Sequence, residues 1–522
     1  MKGSSKLDWL YSKPYAPVHK TDGSEADEEY LKAIMLSYAS MKEFTRNFFA
    51  SELAQSLDQK EFEAFAQEVF SRWYDKGAEA KTKWVLYFCA AHGGSAMRHE
   101  LVEHIYEWGD YNTFVKIVNT MYSQNNSSFP SMRTSIAGDA VRALAMSGND
   151  EALVIVDNIS RKFKGKSVRN SAINAMASAA DGLGITAEEL ADRIVPDLGF
   201  DENLCRVFDY GKRQFNVYIR PSLELEIYNG DKKIKTMPKP GATDDAEKAN
   251  AAYEQFKEMK KLMKTAVTTQ KNRLEYVLMC DRKWNVDGWK TLFVRNAIMH
   301  CFAIGLIWGI YEDGKLSTTF RYMEDGSFTT SEGDEFELPE KAMIGLVHPI
   351  ELSEELKAQW TEQLSDYEIV QPFPQLSRQI YTPESSELEL THMTRFNDRE
   401  TGSMSLVGKM TRFGWDKGQA EDAGFFYYFK REDVSSRSIA PDGKPLLNGY
   451  GTMLIHSGMY IAAYDMDDEN VNAEAVVFFK AGTNPNYWDK DGKGFLKCSE
   501  VPKRYFSEIM LQLTSVFGSK EE

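Results

Sequence analysis

The sequence predicts a multidomain α+β protein. An N-terminal α-solenoid of HEAT-like helical pairs is followed by a mixed α+β module with a β-rich end and a closing helix. Three observations carry this. Apolar residues recur at helical spacing through the first part of the chain, the period switches to two after Pro196, and a last apolar helix ends near Phe517. The boundaries follow the switches: 1–195 helical, 196–385 the mixed core, 386–522 β-rich. A length of 522 residues fits several domain-sized units.

In the helical part, Leu31, Ile34, Met35, Tyr38, Met41, Phe44 and Phe48 mostly lie three or four apart. So do Phe62, Phe65, Val69 and Trp73, and such spacing puts them on one helical face. Gly77, Gly93-Gly94, Gly109, the 125–130 loop, Gly148, Gly165 and Gly182 break the run. Asp110 and Asn149 are expected N-caps, and Thr186 with Glu189 is a capping-box pattern. Residues 140–145 resemble 167–172, and their small side chains permit close stacking of helices. A degenerate repeat fits this pattern; a non-repetitive bundle is the alternative.

Beyond Pro196, Phe208, Tyr210, Phe215, Val217 and Ile219 fall in a period-two pattern. Asn229-Gly230 then marks a hairpin turn. Pro238, Pro240 and Gly241 break the chain before a long helix, starting at Thr243 or Asp244 and reaching about Met279. The stretch from Trp284 to Trp308 reads as helical. Short strands are expected from Tyr311 to Val347, with turns at Asp313-Gly314 and Asp325-Gly326, then a helix from Glu351 to Leu364. Strands follow at Phe425–Phe429 and Ala475–Phe479, and Pro502 opens the closing helix.

Composition limits the function classes. Lys+Arg 62 against Asp+Glu 78 gives a net charge of −16, so a nucleic-acid partner needs a local basic patch. Lys257, Lys260, Lys261 and Lys264 share one helical face and form the candidate polyanion-binding patch. A solvated face explains the same pattern, so a protein partner is favoured over nucleic acid. Five scattered cysteines without a C-x-x-C read as reduced and cytoplasmic. The apolar window from Ala297 to Tyr311 is shorter than the ~20 residues a membrane span needs, and no membrane association is expected.

The chemical motifs are weak. His99 and His104 approach the zincin pattern but stand five apart, about 140° out of line on a helix. Asp489 to Glu500 resembles a calcium loop, with Lys493 where an oxygen ligand belongs. Gly402 to Gly408 is a P-loop with one residue too many, and Met410 replaces its hydroxyl. No metal and no cofactor are therefore expected. The densest cluster of unusual residues is Val347-His348-Pro349 with the 366–376 run. There Pro372 and Pro374 stiffen the backbone while Gln371 and Gln375 offer paired amides. Such a loop lines a pocket or braces two segments. Trp308, His348, Gln371 and Gln375 form the candidate binding neighbourhood. Arg282, His348, Arg378 and Glu508 are the candidates should the protein be an enzyme acting on a nucleotide or nucleic acid.

Several of these residues also carry a resemblance. Trp284 and Trp289, Trp308-Gly309-Ile310-Tyr311, Phe320-Arg321, Glu324-Asp325-Gly326, Gly345 to Pro349 and Gln371 to Leu376 resemble the MolR/YehI-type domain of unknown function. Phe208 to Gly211, Met237 to Pro240, Phe413-Gly414-Trp415 and Ser507-Glu508-Ile509 extend the likeness over roughly Thr186 to Phe517. The resemblance implies longer bacterial relatives labelled as molybdate regulators, some with a WGR module, and no established catalytic residues. No Trp-Gly-Arg occurs in this sequence. With no intact catalytic motif beside that resemblance, a non-enzymatic interaction or regulatory scaffold is expected.

Overall fold

The computed structural model describes residues 4–41, 47–123, 132–397, 399–421, 424–439, 445–460, 470–489 and 493–518. Phe44, the 125–130 loop and the centre of the calcium-like loop (490–492) lie outside them. The chain is mixed α+β and divides into two compact units, Met1–Val195 and Pro196–Glu522.

The described elements of the first unit are helices. One apolar core runs through it from Leu7 to Ile194. Local chemistry sets the helix ends. Asn149 accepts from the Ala152 N–H, Asp110 from Thr113, and Thr186 with Glu189 closes both arms of a capping box. The helices Thr134–Met146 and Lys166–Asp181 pack on each other, and Gly138 shows how closely. A Cβ there would sit 2.7 Å from the Ser171 hydroxyl oxygen.

Among the described residues the second unit holds three antiparallel sheets. The first is a meander of β1 (Cys205–Asp209), β2 (Gln214–Ile219), β3 (Leu225–Asn229) and β4 (Lys232–Ile234), with Gly230 at φ +59° in the expected turn. The long helix, Ala246–Cys280, is capped by Asp245 and ends at Asp281. The second sheet comprises β5 (Lys283–Asn285), β6 (Ile307–Glu312), β7 (Lys315–Tyr322), β8 (Phe328–Thr329) and β9 (Met343–Leu346), in the order β5-β9-β6-β7-β8. The third has β10 (His392–Met393), β11 (Glu400–Gly402), β12 (Asp416–Lys417), β13 (Phe425–Ile439), β14 (Pro445–Tyr460), β15 (Asn470–Lys480) and β16 (Phe495–Leu496). Its spine is β10-β15-β14-β13-β12.

Two helices position the site. The covering helix, Glu354–Asp366, starts at Ser353 and packs Trp360 and Leu364 against Ile307, Val347 and Leu376. The closing helix, Lys503–Phe517, buries Phe506, Ile509, Met510 and Leu513 in the core of the third sheet. Trp308, contrary to expectation, is not helical. The helix Ala297–Ile304 ends at Gly305, and Trp308 pairs with Phe320 and Leu346 in β6. An unbroken apolar run has no period to separate helix from buried strand. Among the described residues no helix is long and apolar enough to cross a membrane.

Candidate functional site

Alternation along β6 and β7 sorts the site's side chains. Trp308, Phe320 and Tyr322 face an aromatic cluster with Trp289 and Phe328, and Trp308 donates its indole N–H to the Ala303 carbonyl at 3.0 Å. Ile307 and Thr319 face the covering helix, where the Trp360 indole donates to the Thr319 hydroxyl. Trp308 is therefore a core residue. Arg282 lies over the Trp284 ring at 4.9 Å, and Trp284 meets Trp308 edge-on.

Gln371 and Gln375 sit next to each other and are consumed by the backbone. Fully buried Gln375 accepts from the Ile307 N–H at 2.9 Å. It donates to the Ile307 and Val347 carbonyls at 2.8 and 2.9 Å. Its amide thus binds Ile307 as a neighbouring strand would. Gln371 donates to Gly305 and to Gln375, and accepts from the Leu376 N–H. These amides brace the ends of β6 and β9.

His348, Arg378 and Glu508 converge. The buried Glu508 carboxylate accepts from Arg378 Nε and Nη2 at 2.6 and 2.7 Å, and from His348 Nε2 at 3.1 Å. The His348 tautomer follows from its other nitrogen. Nδ1 accepts the Ile350 N–H at 3.1 Å, so the proton of the neutral ring sits on Nε2 and points at Glu508. Arg378 also reaches Glu275 on the long helix at 2.9 Å and the Pro374 carbonyl. Burial opposes charge on Glu508, yet hydrogen bonds from His348 and Arg378 outweigh it and hold the carboxyl below its usual range. Burial pushes the His348 imidazole down, against the pull of Glu508. At neutral pH the trio is carboxylate, guanidinium and neutral imidazole.

A second hub lies one turn away on the closing helix. Arg504 donates to the Leu346 carbonyl at 3.1 Å and pairs with Asp281 at 3.0 Å. It also pairs with Glu351 and reaches the Tyr311 hydroxyl. Tyr311 donates to Glu351 at 2.9 Å, and the His348 N–H reaches the same carboxylate. The two hubs clasp the long helix, the second sheet, the 371–378 run and the closing helix. Sequence reading missed Arg504, Glu351, Asp281 and Glu275. The one available signal was that Arg504 and Glu508 stand four apart on an otherwise apolar helical face.

A third buried arginine behaves differently. Arg321, on the covering-helix face of β7, is 1 % exposed. Its Nε and Nη1 have no hydrogen-bond partner, and Nη2 meets only the Met323 sulfur. The Tyr367 ring lies 4.4 Å from the guanidinium carbon. Such a contact contributes about 0.5–2 kcal/mol, short of the several kcal/mol that burying an ion costs. An arginine in an alternating strand reads as outward-facing; only the covering helix makes it buried.

The metal-like motifs separate in space. His99 bonds the Ser95 carbonyl, while His104 pairs with Glu107 and stacks on Trp108. The Gly402–Gly408 stretch forms a helix, Ser403–Arg412. Among the described residues no group of three or more His, Cys, Asp or Glu could hold a metal ion.

Most of this site falls in a segment with known likeness. Residues 231–415 match the family model described as a domain of unknown function, DUF4132. The chain is also 30% identical over 367 residues to the uncharacterised protein YehI of Escherichia coli (strain K12). That match covers 69% of this chain and 28% of YehI, so the chain spans well under a third of its relative's length. Both findings support a likeness to a YehI-like family of unknown function; neither speaks of molybdate or a WGR module. No solved structure matches the chain. Arg321, His348, Gln375 and Arg378 lie inside the matched segment, while Arg504 and Glu508 lie beyond it.

Proposed function

We propose that the chain is a non-enzymatic interaction or regulatory scaffold that engages a protein partner. The observation that carries this reading is the commitment of the candidate polar groups. His348, Arg378, Glu508 and Gln375 are buried and bonded to one another or to the backbone. A general acid or base has to reach a substrate proton within hydrogen-bond distance. Here these residues hold elements in place and work by keeping shape. The helical first unit, read as a HEAT-like solenoid, supplies the extended surface. Native mass spectrometry of freshly purified protein tests the reading. The expected species are the bare chain or the chain with a stoichiometric protein; a retained stoichiometric nucleotide or metal would sink it.

One observation favours a second reading. Lys260, Lys261 and Lys264 stand exposed on the long helix, whereas Lys257 pairs with Glu254 at 2.9 Å. A nucleic-acid accessory role through that face predicts binding that weakens steeply with salt.

A further inference from the structure

We propose that Arg321 is the receiving group of an oxyanion site closed by Tyr367, taking a small ligand that carries a phosphate or carboxylate group. The directions of its donors point that way. The Tyr367 ring lies against the guanidinium, but the N–H groups in the guanidinium plane still need hydrogen-bond acceptors. Nε and Nη1 have none, and an arginine in a protein does not shed its proton. Glu324, an acid that acts on it electrostatically, is exposed and makes no hydrogen bond to it. In-plane donors of fixed charge are what phosphate and carboxylate oxygens recognise.

The surroundings supply a second group. Trp360, Gln363, Leu364 and Tyr367 fall on one face of the covering helix and its cap, turned toward β7. Gln363 donates through Nε2 to the Thr330 carbonyl at 2.8 Å, next to Thr329, the strand partner of Arg321. Its Oε1 is buried and has no donor. Open donors on Arg321 and an open acceptor on Gln363 call for a ligand with charged oxygens and one O–H or N–H. A protonated phosphate has both; acetate has only the first.

The cover is built to move. Tyr367 is the C-cap of the covering helix, and the residue is 57 % exposed while the cation beneath it is buried. Glu368 follows at φ +53°, and Val370 stands 88 % exposed. On this proposal, Tyr367 swings aside to admit the ligand. This site uses none of the clasp residues, and a small anion other than a nucleotide held there leaves the scaffold reading standing.

The test is calorimetric titration of the full chain with inorganic phosphate and with acetate, in chloride at fixed ionic strength. Phosphate is expected to bind saturably at one site, at least tenfold tighter than acetate. Arg321→Met should weaken phosphate at least tenfold with a melting temperature equal to or above the parent's. Gln363→Glu places a carboxylate of the chain itself near Arg321. It should abolish phosphate binding and raise the melting temperature, so the test stands even where Arg321→Met fails to fold. Absence of saturable binding by both anions overturns the proposal, as does phosphate binding that survives either substitution.

Discussion

Two kinds of buried arginine share the second unit. Arg378 and Arg504 meet carboxylates on several sides: Glu275 and Glu508 for one, Asp281 and Glu351 for the other. Arg321 meets a sulfur and an aromatic face. The first kind rivets elements together, because removing a partner strands a charge in a low dielectric. The second already carries a stranded charge, so truncating it relieves a cost. The same side chain should therefore give opposite signs at the two places, and stability measurements can separate them.

The largest effect is expected at Glu508. Glu508→Gln keeps the volume but removes the charge that Arg378 and His348 address. It should destabilise the second unit by about 3–5 kcal/mol, the range for breaking a buried pair from one side. Urea unfolding checks this. A loss under about 1 kcal/mol would mean the clasp is not the fastening it looks like.

Acid should rank next and act in both units. His92, bonded to the Tyr38 hydroxyl, is lowered to about 4 by burial, and His456, set between Phe426 and Phe429, to about 3. A folded-state pKa below the unfolded value near 6.5 means that the unfolded chain takes up protons first. The stability these rings contribute is whole above about pH 6.5 and is lost as pH falls toward the folded values. Each unit of pH in that window removes about 1.4 kcal/mol per ring, so pH 5 should cost roughly 2 kcal/mol for each histidine. His348 shifts in the same direction and reinforces the trend, while the lowered Glu508 carboxyl adds its own loss only below the ordinary carboxylate range. Stability that is flat between pH 7 and pH 5 would rule the buried neutral histidines out.

Arg321→Met sharpens the contrast with a smaller change of opposite sign. Replacing the unpaired cation by a thioether of similar length should leave stability unchanged or raise it by about 1 kcal/mol. A loss of 3 kcal/mol or more would place Arg321 with the rivets.

Much of the local structure could be read from the sequence. The Thr186–Glu189 capping box, the Asn229-Gly230 turn and the long helix are written in neighbouring residues and short periods. The start of the long helix differs by one or two residues, since Asp245 rather than Thr243 or Asp244 is the cap. The strand at Trp308 was hidden because both faces of β6 are buried, which erases the alternation. The site was only half legible. His348, Arg378 and Glu508 were each visible as unusual residues, but Arg378 and Glu508 stand 130 positions apart and nothing local links them. Burial of Arg321 depends on a helix that begins more than thirty residues later.

The smallest effect on stability, and the sharpest on function, is expected at the lysine face. Lys260, Lys261 and Lys264 are exposed along the long helix, on the side away from its buried Met259, Met263 and Ala266. Exposed charges on a helix contribute a few tenths of a kcal/mol at most. Changing all three to Gln should therefore move unfolding by less than about 0.5 kcal/mol. Against an acidic body of net charge −16, however, the triple change deletes a local source of positive potential. A polyanion such as heparin or single-stranded DNA, titrated at 50 mM and 200 mM salt, separates the cases. Steeply salt-dependent binding that vanishes in the triple variant assigns this face to a polyanion. No binding by the parent chain at low salt leaves the face as a solvated one. Positive charge in this unit then acts through buried arginines such as Arg378 and Arg504, which tie elements together, and Arg321, which lies beneath Tyr367.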